Sequence, residues 1–238
     1  MYLAMGHQAV ARGYHVVLVD GPGQGELLVR DGLPLVPAWE RVIRPVVDAV
    51  VKRLDVDRKR LVLQGWSLGG HLCLRGATGE PRVAAVVSDP PAWSLIEGQL
   101  IPAAAQLGLS PEAAARLPEI SDADLANMMA AIEGEQRLRW VFLQRGLWVN
   151  GASDLRNWLQ GRVVHVGGTE RPHPLPRPGT FADRDPLAGN AKETLSRLKA
   201  PTTLMTFTAA EGAGGHQETL NLALAETRIL DWLDETLS

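Results

Sequence analysis

Leu61-Val62-Leu63-Gln64-Gly65-Trp66-Ser67-Leu68-Gly69-Gly70 joins an apolar run to a helix-compatible segment. The run is aliphatic and partly β-branched, as a buried strand is. It ends in Gly65-Trp66-Ser67-Leu68-Gly69, a G-x-S-x-G pattern between a strand and a helix. In that context the pattern forms a tight, strained turn that lifts a serine hydroxyl above a sheet. Side chains at Gly65 and Gly69 are expected to collide with neighbouring backbone, so both positions require glycine. Ser67 then sits at the positive end of the following helix, with the Leu68 N–H facing the oxygen of a bound carbonyl. Ser67 is the candidate nucleophile and Leu68 the candidate oxyanion donor. Trp66, between them and the strand, is a candidate substrate contact.

The flanking chain alternates strands and helices. Tyr2 to Arg12 reads as a helix stopped by Gly13. Tyr14 to Val19 reads as a fully buried strand, closed by Asp20-Gly21-Pro22-Gly23-Gln24-Gly25. Those glycines lack the lysine and Ser/Thr of a phosphate loop. Trp39 to Leu54 is amphipathic and carries Pro45, which is expected to bend it. Lys59 to Gly65 is the strand before the turn, the helix after it runs to about Gly76, and Arg82 to Ser88 is another buried strand ending at Asp89. This order at these spacings predicts parallel βαβ units in an α/β sheet.

From Ser94 to about Gln160 every segment reads as helix, with Ser110-Pro111 and Ser121-Asp122 as starts. A helical block between strands of an α/β sheet is most simply a lid. The reading is therefore residues 1–91 as the first part of the core, 92–165 as the lid, and 180–238 as the second part of the core. Trp93, Trp140, Trp148 and Trp158 lie at the edge of the lid or within it. Trp93, Trp140 and Trp148 are candidate contacts for an apolar or aromatic small-molecule substrate, although tryptophans at such positions also serve as core. Leu187 to Leu198 is a helix, Thr202 to Phe207 a strand, and Glu218 to Leu237 the closing helix.

Composition narrows the function classes. The chain has 238 residues, 45% hydrophobic and 21% charged, with a net charge of −3. That balance allows one sizeable domain or a domain with a lid, and no basic stripe points to nucleic acid. No apolar run approaches membrane-spanning length and no leader opens the chain. The single cysteine, Cys73, falls on a helix face expected to be buried, which reads as an inert core thiol and fits a reducing, cytoplasmic setting.

A serine nucleophile needs an imidazole base and a carboxylate that orients it. The turn resembles the nucleophile turn of α/β hydrolases, and that resemblance implies the chain order nucleophile, acid, histidine. His165, His173 and His216 follow Ser67 at a useful distance. His216 lies in a glycine-rich loop after the last strand, where this order delivers its base. His71, one helical turn past Ser67, points away from the hydroxyl and reads as structural. Three aspartates compete for the acid. Asp185 precedes the penultimate helix, Asp183 is two residues away, and Asp89 ends the strand after the turn.

Together these residues resemble the α/β-hydrolase superfamily, in the branch of dihydroxypseudooxynicotine hydrolase and the FrsA-like esterases. The matching stretches are Val19 to Gly25, Gly65 to Gly70, Ala182 to Pro186, Phe207 to His216, and Asp231-Trp232-Leu233-Asp234. The resemblance implies an α/β-hydrolase parallel sheet with an inserted helical lid. It also implies a triad of Ser67, Asp185 and His216 that cleaves an ester, amide or activated carbon–carbon bond. No metal or organic cofactor is needed for that chemistry.

Two departures from the family pattern set further expectations. The resemblance implies an upstream strand and a Gly-Gly-x-Asp-Gly loop with a second oxyanion donor, whereas this chain opens at the helix that follows. The Tyr14–Val19 edge is then expected to be sticky, favouring self-association such as a homodimer, with weak activity. Arg171 to Gly179 carries four prolines and is not expected to pair as a central strand, leaving Asp185 poorly positioned. The competing reading is a catalytically impaired relative that binds a ligand or partner.

Overall fold

The computed structural model describes residues 6–161, 177–185 and 188–238. The chain divides into two compact units, one of Met1–Val19, Trp39–Trp93 and Val166–Ser238, the other of Asp20–Ala38 and Ser94–His165.

The first unit holds the sheet. Among the described residues it has four strands in the order β1-β2-β3-β4, namely β1 (Leu61–Trp66), β2 (Val83–Asp89), β3 (Arg177–Ala182) and β4 (Thr202–Phe207). All neighbours are parallel, with Trp66 opposite Asp89 and Ala182 opposite Phe207 at the carboxyl ends. From Ala85 to Val87 the residues of β2 alternate between two faces, and the register shift that pairs Leu61 with Val83 but Val62 with Ala85 puts Val83 with Val86. Val83 and Val86 pack with Cys73, Leu74 and Ala77 of the helix Leu68–Ala77. Ala85 and Val87 pack with Ile229, Leu230 and Leu233 of the closing helix Leu222–Thr236. Each buried Val, Leu or Ile among them contributes roughly 1.5–3 kcal/mol.

The helix Glu40–Val50 covers the helix Leu68–Ala77. Ile43 and Val47 are its buried positions, and Pro45 is accommodated on its exposed side. Arg75 forks onto Glu40 at 2.9 and 3.2 Å, joining the two helices.

Three expectations change. Tyr14–Val19 carries no strand pairing, and Val17 and Leu18 are 55% and 51% exposed. An apolar run becomes a strand only beside a partner, and none lies next to it among the described residues. Tyr14 is held instead by the closing helix, its hydroxyl donating to Asp234 at 2.6 Å. The second change is β3: of the Arg171–Gly179 segment, residues 171–176 lie outside the described residues, but Arg177–Gly179 opens a strand that sits between β2 and β4. Pro178 lies near the start of the strand, and β2 meets β3 only after it, at Ser88 opposite Gly179. The third is the closing helix, which starts at Leu222 because Gln217 and Glu218 have φ of 59° and 51°. Asn221 caps it, accepting from the Leu224 N–H.

The second unit is helical. Its main helix, Asp122–Gly134, is capped by Ser121, which accepts from the Asp124 N–H at 3.1 Å. Ser110 caps the short Pro111–Ala114 helix in the same way. Leu107, Met128, Ile132, Leu155 and Leu159 form its core. Residues 20–38 belong to this unit, and the Leu35 N–H donates to Val149 at 2.8 Å. No helix among the described residues is long and apolar enough to cross a membrane.

Candidate active site

The turn after β1 sets the geometry. Ser67 has φ 55° and ψ −121°, a strained conformation for a residue with a side chain. A Cβ on Gly65 would lie 1.8 Å from the Gly69 carbonyl oxygen, so Gly65 admits no other residue. Gly69 differs from the expectation, because a Cβ there meets nothing within 4 Å. The close approach belongs to Gly70, whose Cβ would lie 2.4 Å from the Pro90 carbonyl oxygen. The Ser67 N–H donates to the Asp89 carbonyl at 2.7 Å, fixing the turn against the end of β2. Leu68 opens the following helix, so its N–H has no acceptor within that helix.

His216 arrives from the loop after β4. Thr208 and Glu211 form a capping box that closes the first half of this loop. The Ser67 hydroxyl is 3.1 Å from His216 Nε2. His216 Nδ1 is 2.9 Å from both carboxylate oxygens of Asp185. A carboxylate only accepts, so Nδ1 carries the ring proton and Nε2 accepts from Ser67. Such a line can move a proton from hydroxyl to ring while the carboxylate stabilises the resulting imidazolium.

Asp185 is buried, with its N–H on Ala182 at 3.2 Å. The preceding proline-containing strand therefore delivers the carboxylate to the histidine. The other two aspartates are committed elsewhere. Asp183 accepts from the Ala209 N–H at 3.0 and 3.1 Å, tying the two loops together. Asp89 is buried and accepts from the Trp66 indole at 2.6 Å and from the Thr180 hydroxyl at 2.6 Å.

Glu218 was not anticipated from the sequence. Two residues past His216, it is buried and hydrogen-bonded to Asp89. Burial, reinforced by the negative charge of Asp89, pushes its carboxyl up to about 9. An acidic residue at the expected start of the closing helix gives no sign of burial in sequence.

The tryptophans have different environments. Trp66 is half-buried through its bond to Asp89. Trp93 is also half-buried, its ring centroid lies 5.5 Å from the Arg197 guanidinium, and its backbone N–H donates to the Thr194 hydroxyl. In the helical unit, Trp158 packs edge-on against Phe142, whereas Trp140 and Trp148 are 53% and 54% exposed. His71 is buried, with Nδ1 2.8 Å from the Ala92 carbonyl. Cys73 is buried, its thiol directed at the Gly70 and Val87 carbonyls. His165 and His173 lie outside the described residues.

A family model, described as the Alpha/beta hydrolase family, matches residues 2–225. The hydrolase acrC of Aspergillus aculeatus is 44% identical over 93 residues, 37% of this chain and 22% of that protein. The hydrolase LUC6 of a Fusarium species is 50% identical over 84 residues, 34% of this chain and 20% of that protein. The chain thus matches a minor part of either relative. Among solved structures, 2,6-dihydroxy-pseudo-oxynicotine hydrolase superposes with a TM-score of 0.57 at 21% identity, over 92% of this chain and 51% of that one. VinJ superposes with a TM-score of 0.60 at 16% identity, over 99% and 86%. At these identities the structural likeness speaks to fold. On the span of the family match, the chain belongs to the alpha/beta hydrolase family.

Proposed function

We propose that the protein is a serine hydrolase that cleaves an ester, amide or activated carbon–carbon bond in a small apolar or aromatic substrate. The observation that carries this reading is the continuous line from Ser67 through His216 to Asp185. In the proposed reaction, His216 Nε2 takes the Ser67 proton as Oγ attacks the substrate carbonyl. The Leu68 N–H donates to the oxyanion. The imidazolium, held by Asp185, then protonates the leaving group. Water repeats the sequence on the acyl-enzyme and regenerates Ser67.

The test is turnover of a short-chain aryl ester by the Ser67→Ala variant. The substitution removes a hydroxyl and leaves the turn intact. The reading expects a folded protein whose activity falls to background. Unchanged turnover in the purified variant contradicts the Ser67 assignment, whereas a folded wild type without Ser67-dependent turnover favours a ligand-binding relative.

A further inference from the structure

We infer that a neutral Glu218, sharing its carboxyl proton with Asp89, pins the His216 loop to the end of β2 and thereby holds the His216 ring on Ser67 and Asp185. The inference rests on the hydrolase reading, for which Glu218 is a positioning residue.

Three features lead to it. The first is donor accounting. Asp89 already accepts from Trp66 and from Thr180, one donor on each oxygen. Glu218 also bonds Asp89, and two carboxylates can share such a bond only through a proton. Burial pushes the Asp89 carboxyl up as well, but the Thr180 and Trp66 donors favour its charged form, so Asp89 is the stable site for the charge. Glu218 Oε2 is buried without a hydrogen-bond partner among the described residues, which an ionised oxygen would not tolerate. Glu218 is therefore the member that keeps the proton.

The second feature is backbone strain. Gln217 and Glu218 have φ of 59° and 51°, immediately after the histidine. Non-glycine residues in this region cost on the order of 1–3 kcal/mol each and persist only where surrounding contacts hold them. The buried Glu218–Asp89 bond is such a contact. The turn is closed further by the Asn221 N–H on the Glu218 carbonyl at 2.8 Å and by the Thr219 hydroxyl on the His216 carbonyl at 2.9 Å.

The third is topology. Asp89 receives the Ser67 N–H on its carbonyl and the Trp66 indole on its side chain. One residue thus anchors the elbow directly and the histidine loop through Glu218. The charged groups facing Glu218 are Asp89 from the end of β2 and Asp185 from the loop after β3, with His216 on its own loop. Loss of the Glu218 proton would set three negative charges together and replace an attraction by a repulsion. The His216 loop would then be released at alkaline pH.

The experiment uses the full chain and two variants. Carboxyl-¹³C NMR with labelled glutamate, assigned by loss of the signal in Glu218→Gln, should find Glu218 protonated at pH 7 and ionising near 9. The amide of Glu218→Gln still donates to Asp89 and should restore most of the kcat that Glu218→Ala loses. That loss is expected to reach about a hundredfold, the scale of an ångström-sized misplacement, with KM little changed. The wild-type fall in kcat above pH 9 should be absent in Glu218→Gln. Ionisation of Glu218 in the ordinary carboxylate range overturns the inference, and so does an identical alkaline limb in wild type and Glu218→Gln. These readouts survive if Glu218→Ala fails to fold. If the wild type lacks Ser67-dependent turnover, the hydrolase reading fails separately. The downfield His216 Nδ1 proton resonance, expected in wild type and Glu218→Gln and lost when Glu218 ionises, then decides the positioning role.

Discussion

The Trp66 indole N–H donates to the Asp89 carboxylate at 2.6 Å, bridging the carboxyl ends of two neighbouring strands. Trp66 and Asp89 also face each other in the β1–β2 register. The bond therefore ties the residue before the candidate nucleophile to the aspartate that closes β2. It also explains why Asp89, a credible acid by sequence position, is not available to His216.

This division of labour among the acids gives a kinetic prediction. Asp185→Asn should lower kcat by about a thousandfold or more, because the amide favours the wrong imidazole tautomer. Asp183→Asn should lower it only a few-fold, since Asp183 bonds the Ala209 N–H and not the ring. Steady-state rates on an aryl ester separate the two, and the reverse order would contradict the assignment.

The turn predicts a sharp contrast between adjacent glycines. Gly65→Ala places a Cβ into the Gly69 carbonyl and should destabilise the fold by about 3 kcal/mol or more. Gly70→Ala should act in the same direction through Pro90. Gly69→Ala meets open space in a helix and should be neutral or stabilising by up to about 1 kcal/mol. Urea unfolding of the three variants measures the contrast.

Much of this was legible in the sequence, and the failures have physical causes. The elbow was readable because a strand, a G-x-S-x-G turn and a helix each carry a local signal. Thr202–Phe207 and the loop delivering His216 were readable for the same reason. The Tyr14–Val19 run was misread because apolar patterning reports burial potential and not the presence of a ladder partner. Pro178 weighed too heavily against β3, since its cost depends on its position in the strand. Gly70 was missed because its close contact, Pro90, comes from another strand end. Glu218 carries no signal of burial, because its environment exists only once β2 and the His216 loop meet.

Glu218 should also set the pH dependence of stability. The unfolded chain releases this proton near its ordinary value of 4.5, whereas the folded chain keeps it to about 9. Between those values the folded state binds more protons, so stability falls as pH rises through the window. Denaturation midpoints at pH 5, 7 and 8.5 should decline in wild type and decline less in Glu218→Gln. Parallel curves would contradict the assignment.

The exposed tryptophans should report on substrate and not on folding. Trp140→Ala and Trp148→Ala should shift stability by no more than about 0.5 kcal/mol, as exposed substitutions do. If they contact substrate, as the sequence reading expects, KM for aromatic esters should rise with kcat nearly unchanged. Trp158→Ala removes the edge-on partner of Phe142 and should destabilise by about 3 kcal/mol. Thermal unfolding and substrate saturation curves distinguish these effects.

The central claim is that Ser67 is an activated nucleophile, and covalent labelling with a fluorophosphonate tests it most directly. Peptide mapping should place the adduct on Ser67 in the wild type. Labelling should be lost in Ser67→Ala and strongly slowed in His216→Ala, because the hydroxyl needs Nε2 at 3.1 Å to give up its proton. An unlabelled Ser67 in folded wild-type protein, or equally fast labelling without His216, would contradict the account.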